Sequence, residues 1–126
     1  MSTKELIDEI VECAKLVRKQ LSYGFEEKVY KNAMFIELKK HNLSVEIEVP
    51  IKVYYDGQVV GDFRADIIVD KRIIIELKAT NALTIINSVQ LVNYLTATGI
   101  DDGLLINFGA EHLEIKHKTR LYYKCQ

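Results

Sequence analysis

The chain has 126 residues, of which 48% are apolar and 28% are charged. Its 17 basic and 18 acidic residues give a formal net charge of −1 at pH 7, which excludes a molecule-wide basic field of the kind that attracts nucleic acid. A local basic patch would leave that sum unchanged. A chain of this length and composition is expected to form one folded domain, residues 1–126, with one core.

The cysteines and the apolar runs bear on where the protein works. Cys13 and Cys125 lie near opposite ends of the chain in no metal-binding spacing, which favours two reduced thiols in a cytoplasmic protein. No signal peptide opens the chain, and no apolar run is long enough to span a bilayer. We therefore expect no membrane association.

Two helices are predicted in the first third of the chain. Ser2 and Glu5 have the spacing of a capping box, and apolar residues then recur every three or four positions until Ser22–Gly24. A second helix is predicted from about Gly24 to Lys40. Its apolar residues fall in two sectors, which is typical of a helix packed between another helix and a sheet.

The period changes to two at Val45, where a strand with one solvated face is predicted to run to Tyr55. Asp56-Gly57 is a strong hairpin signal, and the chain returns from Gln58 to Val69. After a turn at Asp70–Arg72, the run from Ile73 to Ala79 is nearly all apolar, which indicates a central strand covered on both faces.

The remaining elements complete an order ααβββαββ. Asn81 is a candidate cap for a third helix, from Ala82 to about Ala97, which ends at Thr98-Gly99. Two further strands are predicted, at Leu104–Phe108 and His112–Lys116. Because helices and strands alternate in this way, we expect an α/β fold, an α+β sandwich with a mixed central sheet and flanking helices.

Three charged residues interrupt the apolar strands: Asp66, Glu76 and Lys78. Burying any of them unpaired costs several kcal/mol. Strand alternation places Glu76 and Lys78 on one face, and a three-residue turn would set Asp66 directly opposite Glu76, whereas a two-residue turn would set it on a diagonal. Two carboxylates this close repel, so at least one pKa should be raised, and a proton or a cation would relieve the repulsion. Mg²⁺ or Mn²⁺ fits carboxylate ligands, and the Leu77 carbonyl is a natural further ligand.

Glu27 is a candidate partner for this site. On the second helix it shares an angle with Met34 and Leu38, an apolar sector in which a carboxylate needs a partner. The alternative is a solvated glutamate in the first helical turn, where the helix dipole favours it. Glu76 and Lys78 likewise have an alternative, a cross-strand ion-pair array on a solvated face, although the apolar run before Glu76 argues for a covered strand.

These residues resemble a known nuclease pattern. An Asp on one strand followed by Glu-x-Lys on the next resembles the PD-(D/E)XK nuclease-like superfamily, whose core runs αβββαβ. The segment "GFEEKVY" matches Gly-x-x-Glu-x-x-Tyr at Gly24, Glu27 and Tyr30, the signature of the GxxExxY family of that superfamily. The segment "QLVNY" resembles the Gln-x-x-x-Tyr motif of the exonuclease branch, whose glutamine helps order the site. The resemblance covers residues 5–117 and departs from the common pattern in having Ala65, not proline, before Asp66.

The resemblance implies a restriction-endonuclease-like core and a metal-dependent nuclease acting on nucleic acid, with DNA favoured over RNA. It implies that Lys78 orients the attacking water or stabilises the developing charge, and that Tyr30 and Tyr94 order the site or touch the substrate backbone. The residues it marks as catalytic are Asp66, Glu76, Lys78, Glu27 and Gln90. The residues expected to hold Mg²⁺ or Mn²⁺ are Asp66, Glu76, Leu77 and Glu27.

Two other functions are open from the residues alone. A non-catalytic nuclease-like module would bind nucleic acid or a partner protein, because fold does not imply function. A two-carboxylate hydrolase acting on sugars leaves the lysine unexplained. Since no separate recognition domain is visible, strong sequence specificity would need a homodimer or a partner protein. A basic and aromatic tail could follow a phosphate backbone or be only a charged last strand: Lys116, Lys118, Arg120, Tyr122, Tyr123 and Lys124.

Overall fold

The fold is a mixed five-stranded sheet with helices on both sides, as the sequence predicted. The computed structural model describes residues 1–120. The strand order is β1-β2-β3-β4-β5, and β3 and β4 are parallel while every other neighbouring pair is antiparallel. None of the helices in this range is long and apolar enough to cross a membrane. The elements are α1 (Thr3–Leu21), α2 (Glu27–Lys40), β1 (Val45–Tyr55), β2 (Gln58–Val69), β3 (Ile73–Lys78), α3 (Ile85–Thr98), β4 (Asp102–Asn107) and β5 (Glu114–Thr119).

The first helix starts as predicted. The Ser2 hydroxyl accepts a hydrogen bond from the Glu5 backbone at 3.1 Å, and the Glu5 carboxylate accepts one from the Ser2 backbone at 2.9 Å. The buried face of α1 includes Cys13, whereas Cys125 lies outside the described residues. The capping box fixes the start of α1 because it satisfies two backbone N–H groups that the helix leaves unpaired.

Two helices begin three residues later than predicted. Helix α2 starts at Glu27 rather than Gly24, since Gly24 has a φ of 112° and Glu26 is an extended N-cap. Helix α3 starts at Ile85 rather than Ala82, because Thr84 and not Asn81 is the N-cap. Asn87 Oδ1 accepts hydrogen bonds from the Thr84 N–H at 2.9 Å and from the Thr84 hydroxyl at 3.2 Å. Asparagine at the third helical position thus takes the place of the glutamate or glutamine that is usual in a capping box.

The last two strands are shifted from their predicted positions. Strand β4 begins at Asp102 rather than Leu104, since the parallel ladder with β3 already starts at the Ile73–Asp102 pair. Strand β5 begins at Glu114 rather than His112, and it contains the basic residues Lys116 and Lys118 of the predicted tail. The rest of that tail beyond residue 120 lies outside the described residues.

The core has two layers, one on each side of the sheet. Ile73, Ile75 and Leu77 of β3 pack with α1 and α2, whereas Ile74 packs with α3. Strand β3 is therefore covered on both faces, as its apolar run predicted. Glu76 continues the α3-side row that Ile74 begins.

Strands β1 and β2 change faces halfway along their length. Val45 packs with the α1–α2 layer, but Val49 of the same strand packs with the α3 layer. Between them Glu48 has a φ of 51°, and the ladder has no Glu48–Asp66 pair. The single continuous alternation predicted for β1 is wrong beyond this point, because a left-handed residue in a strand reverses the side chains that follow. Asp66 thus lies where the sheet bends.

Candidate active site

The backbone ladder between β2 and β3 opens at Asp66 and Glu76. Its last pair is Ile67–Ile75, and the three-residue turn at positions 70–72 sets the register in which Asp66 faces Glu76. Side chains replace the backbone bonds beyond this pair. The Asp66 N–H donates to Glu76 Oε2 at 2.8 Å, and the Leu77 N–H donates to Asp66 Oδ2 at 2.8 Å. The two carboxylates therefore occupy the gap between the strands.

Both carboxyl groups are held in an environment that favours the protonated form. Glu76 is only 7% exposed, and burial, followed by the charge of Asp66, raises its pKa to about 8. Burial also raises the pKa of Asp66, against the opposing hydrogen bond from the Leu77 N–H. Desolvation and a like charge are the two conditions that a bound cation relieves.

In each of the two carboxyl groups, one oxygen accepts no hydrogen bond from the described residues and is open to a ligand. No described residue donates a hydrogen bond to Asp66 Oδ1 or Glu76 Oε1. Since no buried side-chain oxygen within residues 1–120 lacks a partner, solvent reaches both atoms. Two adjacent carboxylate oxygens of this kind fit a hard divalent cation. Within the described chain, however, no three His, Cys, Asp or Glu side chains converge closely enough to hold a metal ion.

Lys78 brings a positive charge to the pair. Its side chain makes no hydrogen bond or ion pair with any residue in the range 1–120. Its charge lowers the pKa of Asp66 and of Glu76. A solvated ion-pair array does not fit this geometry, because Glu76 is buried and its carboxylate and the Lys78 ammonium form no ion pair.

Glu27 is a solvent-exposed carboxylate that interacts electrostatically with Asp66 and Lys78. It is the first residue of α2 and is exposed, unlike Met34 and Leu38, which share its sector and are buried. Partial burial and the charge of Asp66 raise its pKa, and the charge of Lys78 lowers it. The Glu27 side chain is therefore electrostatically coupled to both groups while remaining open to water.

The family comparison agrees with this arrangement. The family model of the PD-(D/E)XK nuclease superfamily matches residues 4–119. The chain belongs to the PD-(D/E)XK nuclease superfamily. The family match supports a nuclease-like function and names no substrate.

One solved structure adds support for the fold. The crystal structure of SSO0001 is similar, with a TM-score of 0.62 and 23% sequence identity over 76% of this chain and 50% of that one. The chain thus spans about half the length of that protein, and the likeness concerns the fold alone. None of the curated proteins compared with the chain matches it.

This superfamily member has a second charged pair beside Asp66 that the sequence analysis missed. Lys31, one turn after Glu27 on α2, donates a hydrogen bond to the Glu48 carboxylate on β1. The charge of Lys31 lowers the pKa of Asp66, and the charge of Glu48 raises it. The four-residue spacing of Glu27 and Lys31 is visible in the sequence, but the alternation predicted from Val45 to Tyr55 puts Glu48 on the solvated face of the strand.

Gln90 and Tyr94 lie on α3, the helix that covers the face of the sheet to which Glu76 belongs. Gln90 Nε2 donates to the Tyr94 hydroxyl at 2.9 Å. Tyr94 is buried, and burial, followed by the charges of Glu76 and Asp66, raises its pKa. Gln90 thus contacts Tyr94 and neither carboxylate, so its link to the site passes through the tyrosine.

Tyr30 lies in the core, away from open solvent. Its hydroxyl donates to the Ser22 carbonyl at 2.9 Å and accepts from the Phe25 N–H at 3.2 Å. Its ring stacks on Phe108 with centroids 4.7 Å apart. These contacts fix the loop that leads to Glu27, whereas contact between Tyr30 and a substrate does not fit its complete burial.

Proposed function

We propose that this protein is a metal-dependent nuclease that hydrolyses phosphodiester bonds of nucleic acid, with DNA rather than RNA as the substrate. The observation that carries the proposal is the pair Asp66 and Glu76 in the open ladder, desolvated and mutually repelling, with the unpaired Lys78 beside them. A pair of this kind costs stability unless a proton or a cation occupies it. Membership of a nuclease superfamily supports the same chemistry.

Asp66, Glu76 and the Leu77 carbonyl would hold Mg²⁺ or Mn²⁺. The Leu77 N–H already points to Asp66, and the N–H and C=O of one residue point to the same side of a strand. Glu27 is open to water and would act on the cation through water or hold a second one. When bound, the cation polarises the phosphodiester and lowers the pKa of its water.

Lys78 would orient the attacking water or stabilise the negative charge that develops on the phosphoryl oxygens. An ammonium group that has no partner and is partly withdrawn from solvent is already placed for that charge. Gln90 and Tyr94 would hold the α3 side of the site, since outer hydrogen bonds of this kind orient metal ligands. Tyr30 would act only by ordering the loop before Glu27.

Two finer assignments complete the proposal. We propose that the chain belongs to the GxxExxY family of the superfamily, which the spacing of Gly24, Glu27 and Tyr30 supports. A homodimer or a partner protein would supply any strong sequence specificity. The rival function is a non-catalytic module that binds nucleic acid or a partner protein with the same fold.

The direct test is cleavage of single- and double-stranded DNA and RNA in Mg²⁺, in Mn²⁺ and in EDTA. The proposal expects cleavage of DNA in a divalent cation, none in EDTA and none by Glu76→Gln. Asp62→Asn is the matched control, because Asp62 is an exposed carboxylate on the same strand as Asp66. Wild-type protein that binds nucleic acid and never cuts it would favour the rival module.

A further inference from the structure

A groove lies between α3 and the outer half of the β1–β2 hairpin. Its volume is about 810 Å³, within the range of ligand-binding pockets. The hairpin extends past the point where β2 leaves β3, so one wall is a two-stranded arm and the other is a helix. The polar and aromatic residues of its lining include Lys52, Tyr54, Phe63, Gln90, Asn93 and Tyr94.

The lining of the groove fits a flat, anionic ligand. The groove lining includes Tyr54 and Phe63, residues that are 62% and 44% exposed and whose aromatic rings can stack on bases. Gln90 and Asn93 offer amide groups that can both donate and accept hydrogen bonds. No acidic residue is found among the described residues of the lining, and the Lys52 side chain has no ion-pair partner within residues 1–120.

The groove meets the candidate active site at Tyr94. Gln90 and Tyr94 belong to the groove wall, and Tyr94 packs in the same buried cluster as Ala65, which precedes Asp66, and Ile74, which lies two positions before Glu76. The Phe63 ring lies 5.7 Å from the Tyr94 ring, and burial, followed by the charges of Glu76 and Asp66, raises the pKa of Tyr94. A ligand in the groove would therefore end beside Asp66 and Glu76.

We propose that this groove binds unpaired nucleotides of single-stranded nucleic acid, with bases stacked on Tyr54 and Phe63. This proposal rests on the proposed nuclease function, whose substrate class it narrows. In a duplex the base faces are covered by their neighbours, so an apolar, aromatic groove can only receive bases that are unstacked. Lys52 at the groove and Lys78 at the site supply the cations that a phosphate backbone requires.

The test is binding of a labelled single-stranded oligonucleotide in EDTA, followed by fluorescence anisotropy. Tyr54→Ala removes one stacking contact and should therefore bind the oligonucleotide about 5- to 150-fold more weakly than wild type. Tyr54→Phe keeps the ring and should bind like wild type. Tyr55→Ala is the matched control, because Tyr55 is 76% exposed on the same hairpin and lies outside the groove. Phe63→Ala gives a second reading, with a thermal melt to show that the variant is folded.

The outcomes separate this proposal from the nuclease function. If the wild type cuts DNA but Tyr54→Ala and Phe63→Ala bind single strands normally, the groove proposal is overturned and the nuclease stands. If single-strand binding depends on Tyr54 but no cation supports cleavage, the nuclease is overturned and the groove stands. A stable dimer that dissociates in Ile86→Asp would show that a second copy fills the groove, which also overturns the proposal.

Discussion

Lys31 of α2 donates a hydrogen bond to Glu48 of β1 at the position where the sheet bends beside Asp66. The Lys31 side chain is 18% exposed, and Glu48 has a left-handed backbone. A non-glycine residue in that conformation is held in place by its surroundings, since it is uncommon and costs energy. The pair therefore joins α2, the bend in β1 and the electrostatics of the site.

The two members of this pair should have opposite effects on the pH dependence of cleavage. The charge of Lys31 lowers the pKa of both Asp66 and Glu27, and that of Glu48 raises both. Lys31→Met should therefore move the acidic limb of the pH–rate profile to higher pH, and Glu48→Gln should move it to lower pH. Both changes break the same ion pair, so a purely structural pair would give shifts of the same direction.

A control and a second readout make this prediction independent of turnover. Lys4→Met removes one partner of the exposed Lys4–Asp8 pair on α1 and should leave the profile unchanged. Carboxyl NMR titration of Asp66 should show the same two opposite shifts. Equal shifts in one direction for Lys31→Met and Glu48→Gln would contradict the electrostatic role.

The centre of the site was predictable because the turn length and the strand period decide it. With three residues in the turn after Val69, alternation puts Asp66 opposite Glu76, and the structure has that register. The order of the elements was equally visible, since the change from a period of 3.6 to a period of two is a local signal.

The bend at Glu48 and the boundaries of α3 were not predictable from the local pattern. The alternation of β1 reads as continuous, and only the packing of its second half against α3 shows the change of face. Glu48 is opposed by Lys31 from a distant helix, a tertiary contact that no sequence window contains. The start of α3 depends on Asn87 bonding back to Thr84, while Asn81 offered a competing cap.

Glu76 should make the metal-free protein less stable as the pH rises. Its pKa is about 8 in the folded state against 4.5 for an ordinary glutamate, so the folded protein holds a proton that the unfolded chain releases. This contribution to stability is complete below about pH 4.5 and is lost progressively up to about pH 8. The free energy of unfolding should fall by up to about 1.4 kcal/mol per pH unit in that window.

Urea unfolding in EDTA at several pH values checks this slope. Glu76→Gln should flatten it, and Asp62→Asn, a change of an exposed carboxylate on β2, should not. His41, whose pKa is raised by hydrogen bonds from its ring to Glu9 and Glu37, adds a slope of the same sign near neutral pH. The contribution of His41 to the slope is the same in wild type and in Glu76→Gln, so it cancels when the two slopes are subtracted. An equal slope in both proteins would contradict the burial of an ionisable Glu76.

Divalent cations should raise the melting temperature through the same carboxylates. A ligand that binds only the folded state adds roughly 2.7 kcal/mol at 100 times its Kd. At pH 8 millimolar Mg²⁺ or Mn²⁺ should stabilise wild type, and Glu76→Gln should lose the effect. Asp66→Asn should weaken the effect and stabilise the metal-free protein, because it removes repulsion. A melting temperature that follows ionic strength alone, with NaCl as the control, would contradict the metal site.

Gly109 should be essential for the position of the strand end that carries Lys78. A Cβ at Gly109 would lie 2.3 Å from Ala79 C and Thr80 N, which are backbone atoms directly after Lys78. Gly109→Ala should therefore cost about 1–3 kcal/mol of stability and also reduce cleavage. Gly103→Ala on β4 is the comparison, since the nearest atoms to its Cβ belong to the Leu91 side chain, with Cδ1 at 2.9 Å, and not to the backbone. Chemical denaturation that ranks Gly103→Ala as the more harmful change would contradict this account.

Substitution of Lys78 should lower the rate of cleavage while leaving the affinity for DNA nearly unchanged. If its ammonium acts on the water or on the developing charge, Lys78→Ala should lower kcat by about 10²–10³-fold, because its stabilisation appears at the barrier. Affinity for DNA should stay within a few-fold of wild type, and the metal-induced rise in melting temperature should remain, since Lys78 is not a ligand. Gln90→Ala should cost less, about 10- to 100-fold, because it reaches the site through Tyr94.

Single-turnover cleavage and anisotropy on the same DNA distinguish these effects. Lys71→Ala is the matched control, an exposed lysine in the turn between β2 and β3. Lys78→Arg keeps the charge but changes the shape of the donor, so partial recovery of the rate would favour charge stabilisation over orientation of a water. A Lys78→Ala variant that loses DNA affinity in proportion to its loss of rate would show that Lys78 binds the ground state, and its role at the barrier would be rejected.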